Sequence, residues 1–85
     1  MRRLNPFARP YADVAARIGF SLIEARVGRH LRLTFEDDRT GAAAVLYTPK
    51  RLHGPRAVEN FSALLKRTAR RAGPIGRGMA SLHAP

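Results

Sequence analysis

In Arg29-His30-Leu31-Arg32-Leu33-Thr34-Phe35-Glu36, polar and apolar side chains alternate from His30 to Glu36. Successive side chains of a strand point to opposite faces. A period of two therefore predicts a β-strand with Leu31, Leu33 and Phe35 buried and His30, Arg32 and Thr34 facing water. The stretch before it, Phe20 to Val27, sets Phe20, Leu22 and Ile23 against Glu24 and Arg26 and is closed by Gly28. The short joint Val27-Gly28-Arg29 predicts a tight hairpin between the two strands. On the other side, Glu36-Asp37-Asp38-Arg39-Thr40-Gly41 reads as a polar turn ending in glycine. Ala42 to Thr48, strongest at Val45, Leu46 and Tyr47, then predicts a third strand, which Pro49 ends.

A helix is predicted on each side of this meander. Pro10 at a helix start, Tyr11, Val14 and Ile18 on one face, and Gly19 as a C-terminal stop predict a short helix over 10–19. Gly54-Pro55 opens a longer one reaching about Ala72. Its apolar stripe is Val58, Phe61, Leu65 and Ala69, with Leu64 and Ala72 adjoining, and Gly73-Pro74 stops it. The expected architecture is α+β in the order α-β-β-β-α, a three-stranded antiparallel sheet with two helices packed on one face. The domain spans 10–73. Met1 to Arg9 reads as a basic flexible arm, and 74–85, rich in Gly and Ala without period, as a flexible tail.

Eighty-five residues make one small domain with a thin core. Absence of cysteine excludes disulfide scaffolds and thiolate metal sites, and the histidines at 30, 53 and 83 are too scattered for a ligand set. Neither a metal nor a cofactor is expected. Glu36-Asp37-Asp38 reads as a hydrophilic turn, since three consecutive acids lack coordination geometry. No apolar run is long enough to span a bilayer, and Met1 to Pro10 has no signal-peptide core, so a cytoplasmic protein without membrane contact is expected.

Charge supplies the functional direction. Sixteen Lys and Arg against six Asp and Glu give a net charge of +10, and a chain this basic is expected to bind a polyanion, RNA or DNA first. All but Lys50 and Lys66 of these cations are arginine, whose planar fork grips phosphate bidentately. Three groups of candidate nucleic-acid contacts stand out. Arg26, Arg29 and Arg32 flank His30; Lys50, Arg51 and Arg56 surround the loop after the third strand; Lys66, Arg67, Arg70 and Arg71 load the end of the second helix. In the last group Arg67, Arg70 and Arg71 stand at i, i+3 and i+4, where like charges repel unless an anion relieves them. The aromatic residues sit mostly at core parity, which argues against reading single strands by stacking. His30 is the candidate catalytic residue. An imidazole titrating near neutrality can move one proton during backbone cleavage, with Arg29, Arg32 or Lys50 supplying charge. His53 is a candidate for the second proton transfer if its loop folds back towards the sheet.

Ala16-Arg17-Ile18-Gly19-Phe20, then Gly28-Arg29-His30, a polar hairpin ending at Gly41, a strand closing on Thr48-Pro49, a basic loop and a helix ending Arg71-Ala72-Gly73 together resemble the HicA-type toxins. These are small ribonucleases of bacterial toxin–antitoxin pairs with a double-stranded-RNA-binding-like fold. The resemblance covers 10–73. It implies that His30 takes the place of the family's essential histidine, that RNA is the substrate, that cleavage is metal-independent, and that a cognate antitoxin protein is a partner. The chain departs from the pattern at Arg29, where the toxins usually carry serine, at Leu31, and in the hairpin Asp37-Asp38-Arg39-Thr40-Gly41. The residues themselves leave a second reading open. It is a non-enzymatic protein, encoded by a phage or mobile element, that binds nucleic acid or inhibits a protein at a nucleic-acid-like groove.

Overall fold

A computed structural model describes residues 5–82, in the order α1 (Arg9–Arg17), β1 (Phe20–Val27), β2 (Leu31–Asp37), β3 (Ala43–Thr48), α2 (Gly54–Ala72) and β4 (Arg77–Ser81). The α+β class and both helices are as the periodicities predict. The sheet differs: it has four strands in the order β1-β2-β3-β4, with β4 parallel to β3. The fourth strand lies in the segment expected to be a flexible tail.

Small residues explain both the strand and why it was not legible. Gly78 sits so close to α2 that a Cβ there would lie 2.6 Å from the Thr68 carbonyl oxygen and 3.1 Å from Thr68 Cγ2. Only glycine lets β4 dock at that distance. Alternation in Arg77-Gly78-Met79-Ala80-Ser81 is real, with Gly78 and Ala80 on the half-buried side, but side chains this small carry almost no hydropathy signal. The parallel pairing needs a crossover, and α2 supplies it.

The first three strands form the expected meander. β1 pairs with β2 from Phe20↔Asp37 to Val27↔Leu31, with the register slipping between Leu22 and Glu24, so Ile23 is an inserted bulge residue. β2 pairs with β3 from Leu31↔Thr48 to Glu36↔Ala43. Leu31, Leu33 and Phe35 are fully buried with Ala44 and Leu46 against Tyr11, Val14 and Ala15 of α1 and Phe61, Leu65 and Ala69 of α2. Phe61 is the hub, its ring centroid 4.9 Å from that of Tyr11 in an edge-on contact and 5.6 Å from that of Phe35. Each such pair contributes about 0.5–1.5 kcal/mol beyond the area it buries.

The N-terminal arm is only partly as expected. Met1 to Leu4, with Arg2 and Arg3, lie outside the described residues, as does His83. Asn5 to Ala8, however, make a turn in which the Asn5 carbonyl accepts from Ala8 and Arg9 N–H and the Asn5 side chain accepts from Phe7 N–H at 2.8 Å. Ala8 is fully buried. This segment is the lead-in to α1, and Ala8 is the residue through which it joins the core.

Candidate functional site

His30 is not in a strand. β2 begins at Leu31, and Gly28, Arg29 and His30 form the turn of the β1–β2 hairpin, closed by Gly28 N–H donating to the His30 carbonyl at 3.1 Å. The turn takes three residues because Val27 pairs with Leu31. Alternation around His30 extends the strand pattern past the point where the ladder stops. Both Arg29 and His30 are exposed at the hairpin tip.

The ladders show what shares that tip. Leu31 pairs with Thr48, so Pro49, Lys50 and Arg51 leave β3 at the same end of the sheet from which His30 and Arg29 project. The loop continues through His53, the residue that precedes α2, to Arg56 in the first turn of that helix. Arg29, His30, Lys50, Arg51, His53 and Arg56 are all exposed and all belong to this end. Tyr11 fixes the loop, its hydroxyl donating to the Pro49 carbonyl at 2.6 Å across 38 positions of sequence. Burial pushes the Tyr11 hydroxyl above the ordinary phenol range, and the neighbouring Thr48 hydroxyl offsets part of that rise. Thr48 Oγ1 is itself buried without a hydrogen bond of good geometry, so the Pro49 bond is the one that ties α1 to the loop. Lys50 Nζ stands 6.0 Å from the Phe7 ring centroid, at the outer limit of a cation–π contact. Neither helix has a side-chain cap or an acidic residue in its first turn, so the N-terminal pole of α2 adds partial positive charge here.

Arg26 and Arg32 are placed differently from the other candidates. They face each other directly in the β1–β2 ladder, an arrangement that repels. Glu24 lies between them, 3.6 Å from Arg26 Nε and 3.8 Å from an Arg32 amino group. Arg32 Nε is buried without an acceptor, so this side chain lies along the sheet instead of standing into water. The two pairs through Glu24 are the ion pairs among the described residues. The remaining described Lys and Arg have no carboxylate in pairing range.

The α2 cations border two different surroundings. At 100° per residue, Lys66 and Arg70 fall on the flank next to Ala69, whereas Arg67 and Arg71 fall on the flank next to Leu64 and Thr68. Lys66 and Arg70, with Arg39, stand around a half-open cleft of about 350 Å³ floored by Ile18, Phe20 and Ala69. Asp37, also on this cleft, is committed to the turn, its carboxylate accepting from Arg39 N–H at 2.9 Å. Phe20↔Asp37 closes the β1–β2 ladder at the end opposite Val27↔Leu31. The cleft and the His30 turn therefore lie at opposite ends of the sheet.

Open-face parity places Arg32 and Thr34 away from the helices, as predicted, but Thr34 is only 7% exposed and Val45 beside it 1%. Sequence reasoning had no signal for this, because it depends on which residues the four strands bring abreast. No family model, curated protein or solved structure matches this chain.

Proposed function

We propose that this chain is a small RNA-binding protein that grips the nucleic-acid backbone with the hairpin end of its sheet, His30 standing within the contact surface. The observation that supports this reading best is the convergence of Arg29, Lys50, Arg51 and Arg56 at one end, exposed and without carboxylate partners among the described residues. Each is long enough to follow a phosphate backbone, and the uncapped pole of α2 reinforces them. The resemblance to HicA-type toxins adds cleavage by His30 and a cognate antitoxin to the proposal. The position of His53 at the same end favours this extension, since cleavage needs an acid and a base. Binding alone, with no chemistry, is the alternative on the same surface.

One experiment separates these. Full-length chain and its His30→Ala variant are incubated with a labelled mRNA, and both cleavage and binding are followed as salt is raised. A ribonuclease loses cleavage by about 100-fold or more in His30→Ala while its affinity stays within about twofold. A binder shows no cleavage in either. In both cases affinity falls steeply between about 50 and 200 mM salt, because each neutralised phosphate releases counterions. Affinity indifferent to salt sinks the nucleic-acid reading, and equal cleavage by both proteins sinks the role of His30.

A further inference from the structure

The two edges of the sheet are built differently. β1 carries the Ile23 bulge and the charged pair Glu24 and Arg26, devices that keep an edge from pairing with another strand. β4 is less defended: it is a five-residue run without bulge or proline, and Arg77 is its one charge.

The hydrogen bonds of β4 show which groups it leaves free. The Gly76 carbonyl accepts from Ala43 N–H and Leu82 N–H donates to the Tyr47 carbonyl, both at 2.8 Å. By alternation the backbone groups of Gly78 and Ala80 also point to β3. Those of Arg77, Met79 and Ser81 point outwards, with exposed side chains, Met79 at 60%. Contact of Gly78 with Thr68 pins the strand to α2 and so presents this edge already ordered. Beside it, Ile75 is 87% exposed and held at φ 60, a left-handed conformation that a β-branched side chain rarely adopts. Such strain survives only where the surroundings impose it, and here it keeps an apolar side chain in water at the mouth of the strand.

We propose that β4 is a docking strand, and that its occupant is an extended acidic segment of a protein partner, added to the sheet as a fifth strand. Main-chain bonds to Arg77, Met79 and Ser81 supply attachment, and Met79 and Ile75 supply apolar contact. Charge selects the partner. Arg77 lies in the strand, and the α2 flank next to β4 carries Arg67 and Arg71, which have no carboxylate in pairing range among the described residues, so Asp and Glu on the incoming segment are favoured. A second copy would bring another +10 to the same edge. The inference does not rest on the nucleic-acid reading, which uses the loops at the hairpin end and not the backbone of this edge.

The test uses the full chain and a peptide of alternating residues, acetyl-Glu-Val-Glu-Val-Glu-Val-Glu-amide, with an N-methylated counterpart of equal charge that cannot pair as a strand. Saturating peptide slows amide exchange of Arg77, Met79 and Ser81 by about tenfold or more and leaves β1 unchanged, while the N-methylated peptide binds about tenfold more weakly. Met79→Pro deletes an outward donor without touching the β3 ladder, and it lowers affinity for the first peptide by a similar factor. Equal binding of the two peptides, or protection appearing on β1, overturns the proposal. Protection of β4 without peptide, together with a doubled mass in light scattering, overturns it in favour of a second copy. Should Met79→Pro fail to fold, the two-peptide comparison on the parent chain decides alone.

Discussion

Tyr11 joins the core to the functional end in one side chain. Its ring packs edge-on against Phe61 and its hydroxyl holds the Pro49 carbonyl, so the loop carrying Lys50 and Arg51 is anchored from beneath. Tyr11→Phe keeps the ring and removes the donor, and we expect it to cost about 1 kcal/mol in urea unfolding at pH 7. The pH dependence follows from burial, which raises the folded-state pKa of this phenol. The folded chain prefers the neutral form, whereas the unfolded chain ionises near pH 10. The contribution of Tyr11 is therefore complete below about pH 10 and is lost as pH rises through the folded-state value. The stability gap between parent and Tyr11→Phe is expected to narrow above that pH, and a gap that stays constant to pH 11, a limit roughly one unit beyond the phenol's ordinary value, would remove the assigned cause. His30 marks the contrary case, where local alternation overstated structure. Its parity with Arg32 is correct in sequence, but the ladder stops at Leu31 and leaves it in a turn.

At the scale of elements, legibility tracked side-chain size. β2 could be read because Leu31, Leu33 and Phe35 alternate with polar residues, and α2 because Phe61, Leu65 and Ala69 recur at helical spacing. β4 could not, because its inward positions are glycine and alanine. The basic quartet on α2 was legible as charge but not as two pairs, since the split between the cleft and the β4 flank depends on which side of the helix each strand occupies. The role of Gly78 gives this account a direct check. Gly78→Ala places a methyl group against the Thr68 carbonyl, a backbone neighbour that cannot turn aside, at an expected cost of about 1–3 kcal/mol. Amide exchange of Ala80 and Leu82 is expected to accelerate while that of Leu33 and Leu46 changes little. Equal loss of protection throughout would show that β4 and the meander open as one unit.

For the whole molecule, the separation of the two basic ends sets a length scale. The 19 residues of α2 extend about 28 Å at 1.5 Å per residue, in a body measuring 33 × 29 × 23 Å. A B-form DNA duplex advances about 3.4 Å per base pair, so roughly eight pairs of DNA are needed before one ligand reaches from the hairpin end to the cleft. If both ends contact one duplex, fluorescence anisotropy should show affinity rising between six and about twelve pairs beyond the statistical gain in sites. Affinity that follows site number alone would confine binding to one end. The order in which the molecule assembles follows from its one parallel pairing. The β1–β2 and β2–β3 hairpins join near neighbours in the chain, but Ala43↔Arg77 must wait for an entire helix to settle first. Loop-closure entropy then makes the last strand the slowest part to arrive during folding. A chain interrupted at that moment would be a nearly complete meander whose β3 edge is still bare, open to capture by a neighbouring unfinished copy.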